Sequence, residues 1–241
     1  MGKGAARSTA EPMGASRWFL RAHSLAVYVF FYAPIVVLVA YSFNKSSIVG
    51  KWTGLTLSWY GDFLDHDNIQ ESIWISVKVC VASTLISVVL GTLAALSIER
   101  FRWWGQKAFD SVLYLPIIIP DVTMAVMLLV FFGETAQWFN LIPGVNLTDG
   151  LEKLVLSHVA FNISFVSVVV RARLANLDAS MEEAAADLYA NRWQTFRRVT
   201  LPQIMPGVLG GALLAVTLSL DDVVVSSFVS GVGATPVSVY V

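Results

Sequence analysis

Five long apolar runs, at residues 25–43, 73–98, 111–132, 154–170 and 204–229, limit what this chain can fold into. A helix needs roughly 20 mostly apolar residues to cross about 30 Å of hydrocarbon, and each run is near that length. Lipid offers no hydrogen bonds to a bare backbone, so runs of this kind are predicted to be helices. Composition agrees, with 56% hydrophobic and 14% charged residues, against roughly 25% charged in soluble domains. The predicted class is an all-α polytopic membrane protein. A net charge of -1 gives no electrostatic footprint for nucleic acid. The single cysteine, Cys80, allows neither an intramolecular disulfide nor a Cys/His zinc site.

Orientation follows from the basic residues. With the N-terminus in the cytoplasm, Lys3, Arg7, Arg17, Arg21, Arg100, Arg102, Lys107, Arg171, Arg173, Arg192, Arg197 and Arg198 fall inside. Only Lys45, Lys51 and Lys153 fall outside, a bias that the positive-inside rule reads as strong. The first run is too long for a signal peptide and lacks a small-residue cleavage site, so it reads as an uncleaved anchor. Residues 1–23 are then a cytoplasmic tail, and Trp52, Trp59, Tyr60, Trp103, Trp104 and Trp138 flank the spans where an aromatic belt in contact with membrane lipid would lie.

Three carboxylates lie within the apolar runs. A charge at the centre of a membrane helix costs about 2.5–3.5 kcal/mol, so such residues tend to face a polar interior. Asp121 follows Pro120 and reads both as a pathway residue and as the cap of a helix restarting there. Asp221 and Asp222 either mark the outer end of the fifth span or, since apolar residues continue beyond them, lie inside it. Spacing of i, i+3 would put Ser219 and Asp222 on one face, towards a pathway. Trp59 reads as a belt residue or as a face for an ammonium group. Together these residues make a cation-selective path the natural hypothesis. His158 and Asn162 read as interhelical hydrogen bonds, and Gly91, Gly207 and Gly211 as close-packing faces for helix partners.

Residues 171–203 form a polar loop between the fourth and fifth runs. Ser180 and Glu183 have the spacing of a capping box, followed by the helix formers Ala184, Ala185 and Ala186. Asn191 and Gln194 suggest a second cap, with Trp193, Phe196 and Val199 on one face. On physics alone, an interfacial helix lying on headgroups fits equally well. The run Glu183-Ala184-Ala185, with Leu201-Pro202 beyond it, resembles the EAA loop of importer-type ABC permeases. Tyr41-Ser42-Phe43-Asn44, Trp59-Tyr60, Pro120-Asp121 and the segment 218–228 are similar to the spermidine/putrescine-type permease, second membrane subunit.

This resemblance implies a type I ABC importer permease fold over residues 24–241, with five of six core helices present and the final one lacking. It implies polyamine translocation across the bacterial inner membrane along Trp59, Asp121, Ser219, Asp221 and Asp222. An ATPase contact through Glu182, Glu183, Ala184, Ala185, Tyr189, Leu201 and Pro202 is also implied. The implied partners are ATP-binding ATPase subunits, a second homologous permease and a periplasmic or extracellular substrate-binding protein. No Walker-type glycine loop is present in the sequence, so the chain is expected to bind no cofactor, with ATP used by the partner ATPase. Tyr189 departs from the family's glycine, at a turn where a left-handed backbone would strain it. The alternatives are an ABC permease for another solute (opine, thiamine or iron), an inactive truncated permease, and a membrane enzyme using the aspartates as metal ligands.

Overall fold

The computed structural model describes residues 14–48, 50–139, 141, 147, 150–178, 180–231 and 233–240. The chain divides into two compact units, Met1–His66 and Asp67–Val241. The first contains helix α1 (Gly14–Tyr41) and helix α2 (Ser58–Asp65). Helix α1 is apolar on all sides with none of its span buried, as expected of a helix solvated by lipid or by neighbouring helices. Buried Asn44 organises the loop that follows. Its amide donates to the Lys51 carbonyl at 2.7 Å and its Oδ1 accepts from the Thr53 N–H at 3.0 Å.

The second unit is built on helices α3 (Asp67–Arg100), α6 (Leu151–Leu174) and α9 (Leu201–Asp221), each packed against the other two. Helix α4 (Gln106–Ile118) packs on α6. Helix α5 (Asp121–Phe139) packs on α10 (Val224–Val229), and α11 (Val237–Tyr240) on α3. Between α6 and α9 come α7 (Ser180–Asp187), α8 (Arg192–Thr195) and a π-helical turn, Phe196–Thr200. Among the described residues, four helices are long and apolar enough to cross a membrane, or up to five if the bent α4–α5 pair is one span.

Close approach between helices depends on small residues meeting α6. A Cβ on Gly91 would stand 2.9 Å from Val166, and one on Gly211 would stand 3.3 Å from the Val166 backbone. Val166 is fully buried, so α6 is gripped from both sides at one level. The small-residue faces of α3 and α9 are thus occupied within the chain.

Two of the expected continuous spans are interrupted. The run 111–132 is two helices bent by 114°. Pro120 has no N–H and its ring drives the preceding residue out of the helical region, and Ile119 accordingly sits at φ -73, ψ 131. Pro116, by contrast, stays inside α4. The run 204–229 breaks at Asp222, whose φ of -67 and ψ of 115 end α9 one residue earlier. At its other end the helix is longer than the apolar run, continuing back to Arg192. The π-helical turn ends at Thr200, and Pro202, which cannot donate, lies just beyond it in the first turn of α9.

Replacing Gly91 with leucine should overpack the Val166 seam at a cost of about 1–3 kcal/mol. A lowered melting temperature of the detergent-purified protein would register this, whereas the same change at open Gly133 should leave it nearly unchanged.

Candidate functional site

The interruptions after α4 and after α9 meet one cavity of about 450 Å³. Its lining includes Pro116 and Asp121 at the first break, Asp221 and Asp222 at the second, and Phe161 and Phe165 from α6. No lysine, arginine or histidine lines it. All three carboxylates singled out in the apolar runs are therefore brought together, from positions far apart in the chain.

Their local settings differ. Asp121 is the first residue of α5, where the positive end of the helix dipole favours an anion. Asp221 is the last residue of α9, where the negative end of the dipole opposes one. Both are exposed, and neither side chain has a hydrogen bond or ion pair among the described residues. Asp222 is the opposite case, with only 12% of its side chain exposed. Its Oδ1 accepts from the Val225 N–H at 3.1 Å and its Oδ2 from the Ser226 N–H at 2.7 Å, so the carboxylate caps α10.

Ser219 and Asp222 do not share a helical face, because the helix ends between them. Ser219 is buried and turned away from the cavity lining. Its hydroxyl accepts from Asn162 Nδ2 at 2.8 Å and lies 3.2 Å from Ser83 Oγ, joining α3, α6 and α9. Trp59 belongs to the first unit. There its indole N–H donates to the Asn44 carbonyl at 2.9 Å, and with Tyr41, Tyr60 and Phe63 it lines a cavity of about 540 Å³.

The polar loop holds a different site. Glu182 is not presented outward. Arg100 Nη1 and Nη2 donate to its two oxygens at 2.5 and 2.6 Å, and the Thr200 hydroxyl donates at 2.6 Å. The Arg100 guanidinium holds the Glu182 carboxyl below the usual carboxylate range, with Thr200 adding to the effect against partial desolvation. Ser180 is the first residue of α7 rather than its cap. Its N–H donates to Asp178 Oδ1 at 2.9 Å, which lowers the Asp178 pKa. The second cap is a reciprocal capping box between Asn191 and Gln194, as its spacing predicts.

Between the two short helices, Tyr189 has φ 59, the one positive φ of a non-glycine residue among those described. Its N–H donates to Ala186 O at 2.9 Å and the Ala190 N–H donates to Ala185 O at 3.0 Å, the Schellman pattern that favours glycine at this position. The ring is 97% exposed, and Met181, Leu188 and Trp193 are exposed on the same loop. Glu183 and Ala184 are exposed on α7, Ala185 is half-buried, and Leu201 and Pro202 lie in the first turn of α9. Nothing in the sequence pointed to Arg100 as the partner of Glu182, because the two are 82 positions apart.

Among the described residues, no group of three or more His, Cys, Asp or Glu side chains is arranged to hold a metal ion. Residues 87–240 match the family model for the binding-protein-dependent transport system inner membrane component. The putrescine transport system permease protein PotI of Escherichia coli K12 is 41% identical over 209 residues, covering 86% of this chain and 73% of that protein. The spermidine/putrescine transport system permease protein PotC of Haemophilus influenzae is 38% identical over 218 residues, covering 90% and 81%. A bacterial ABC transporter involved in import of the acidic polysaccharide alginate superposes with a TM-score of 0.71 at 18% identity, over 96% of this chain and 81% of that one, a likeness of fold.

Two outcomes follow from the loop geometry. Tyr189→Gly should relieve the left-handed strain and stabilise the loop by about 1 kcal/mol, read as slower amide exchange over residues 180–195. Glu182 has a depressed folded pKa, so the stability it contributes is present above the unfolded value and lost as pH falls through the folded one. Amide exchange in α7 should therefore rise on acidification below the ordinary glutamate range. Glu182→Gln should show the fast rate already at neutral pH.

Proposed function

Because this chain belongs to the family of binding-protein-dependent transport system inner membrane components, we propose that it is a permease subunit of an ATP-driven importer, with the acidic cavity as its passage for polyamines. The observation that carries this reading is the cavity itself, with three carboxylates, two aromatic rings and no base in its lining. Putrescine and spermidine are chains of methylene groups bearing ammonium ends. Asp121 and Asp221 would accept those ends while Phe161 and Phe165 cover the methylenes. A cation beside Asp221 also offsets the unfavourable placement of that carboxylate at the C-terminal end of α9. An acidic polysaccharide would be repelled by the same lining, which separates this chain from its alginate-importing structural neighbour in cargo though not in fold.

The basic bias supports a cytoplasmic N-terminus and a cytoplasmic loop around α7. There the exposed Leu188, Tyr189 and Trp193 supply an apolar dock for an ATPase subunit, with Glu183, Ala184 and Ala185 on the adjacent helix. Glu182 acts from the other side, tying α7 to α3 through Arg100 and to the π-helical turn through Thr200. That turn lies within a continuous helix, Arg192–Asp221, that runs to the cavity, a rod of about 45 Å. Movement of the dock when ATP closes the partner ATPase is thereby delivered to Asp221. A second permease and a substrate-binding protein complete the machine, and Trp59 and its aromatic neighbours form a candidate entry surface.

Uptake of labelled putrescine and spermidine by the reconstituted complex tests this reading. Losing one charge-assisted hydrogen bond costs roughly 1.5–3 kcal/mol, so Asp121→Asn and Asp221→Asn should each raise the half-saturating concentration about 10- to 100-fold. Uptake undiminished in both variants would remove polyamines from consideration.

A further inference from the structure

The break between α9 and α10 is held from behind by a side chain that does not line the cavity. His158, on α6, has 1% of its surface exposed. Its Nε2 stands 3.2 Å from Ser226 Oγ and 3.5 Å from Asp222 Oδ2. A carboxylate oxygen only accepts, so the contact with Asp222 calls for a hydrogen on Nε2; Nδ1 is buried without a partner among the described residues. The ring packs against Phe161, whose centroid is 5.2 Å away and which itself lines the cavity. On the other side, the Ser238 hydroxyl donates to the Asp222 carbonyl at 2.7 Å.

These contacts divide the adjacent aspartates. Both oxygens of Asp222 are engaged, by the N–H groups of Val225 and Ser226 and by His158, whereas the Asp221 carboxylate has no partner among the described residues. Fixing Asp222 in an extended backbone ends α9 at Asp221 and leaves that carboxylate on the cavity wall. If Asp222 were released, its unpaired charge would be buried and the chain would be free to continue the helix through position 222. Each helical residue adds about 100° of rotation, so small changes in where the helix ends redirect the neighbouring side chain.

We propose that His158 is a positioning residue for transport, anchoring Asp222 and Ser226 so that the Asp221 carboxylate faces the passage. This rests on the cavity being the polyamine passage, and two readouts keep the claims apart. In the reconstituted complex, His158→Leu removes the donor at similar volume, whereas His158→Gln keeps an N–H at nearly the position of Nε2. His158→Leu should raise the half-saturating putrescine concentration about tenfold. Its maximal rate per assembled complex and basal ATPase activity should stay near wild type, and His158→Gln should recover most of the loss. Wild-type affinity in His158→Leu, or equal loss of assembled complex in both variants, would overturn the proposal.

The second readout does not depend on the cargo. With Cys80, the single cysteine, replaced by serine, Asp221→Cys is labelled with 2-aminoethyl methanethiosulfonate. Adding His158→Leu should slow labelling about fivefold as the side chain turns from the cavity, and adding His158→Gln should not. An unchanged rate with His158→Leu overturns the positioning role. Absence of putrescine uptake by the wild-type complex, with labelling slowed as described, would overturn the cargo and leave the positioning role standing.

Discussion

A helix that stops inside hydrocarbon exposes backbone groups that lipid cannot satisfy, so each interruption must find its partners within the protein. In this chain that requirement falls hardest on Asp222. Its carboxylate supplies two of the acceptors that the first turn of α10 needs, and one of its oxygens also stands 3.5 Å from His158 Nε2 across the interface with α6. The other interruption, at Pro120, is less demanding because proline has no donor to satisfy. These two breaks open a space where three carboxylates meet, so the cavity depends on how they are stabilised.

The rest of the second unit keeps those breaks in register. Helix α6 is held between Gly91 of α3 and Gly211 of α9 at the level of Val166, and a polar joint of Ser83, Asn162 and Ser219 lies on the same three helices. Interhelical hydrogen bonds in membranes are each modest, about 0.6 kcal/mol on average. Their value here is in fixing the rotation of α9 rather than in bulk stability. The same helix runs unbroken to the loop where Arg100 and Thr200 clamp Glu182. One rigid element therefore joins the two places where sequence reasoning expected function.

Much of this was legible in advance because hydropathy and charge are local signals. Three of the apolar runs correspond to single long helices and the other two to helices broken at Pro120 and Asp222, and the carboxylates stood out as misplaced charges in lipid. The turn at Tyr189 was flagged only through the resemblance, whose family has glycine there, and the structure has a left-handed backbone at that position, φ 59. Other features were hidden because their meaning lies in a partner. Glu182 looked like part of a docking face until Arg100 was seen to hold it. Ser219 looked like a pathway residue because i, i+3 spacing assumes a helix that in fact ends at Asp221. His158 was read as an interhelical hydrogen bond, but the identity of its partner was not recoverable from position.

What the amino-acid sequence determined by itself is the medium and the inventory. Long apolar helices must lie in lipid, basic loops favour one side, and three acidic groups must be sheltered somewhere inside. Only the tertiary structure decided which of those acids is free. Asp221 and Asp222 are neighbours of the same chemical type, and no local rule separates them. The division arises because α9 ends between them, and it ends there because His158, 64 positions away, and the first turn of α10 take up the second carboxylate. Capping and side-chain contacts across helices depend on three-dimensional distance, which a linear pattern of residue types does not contain.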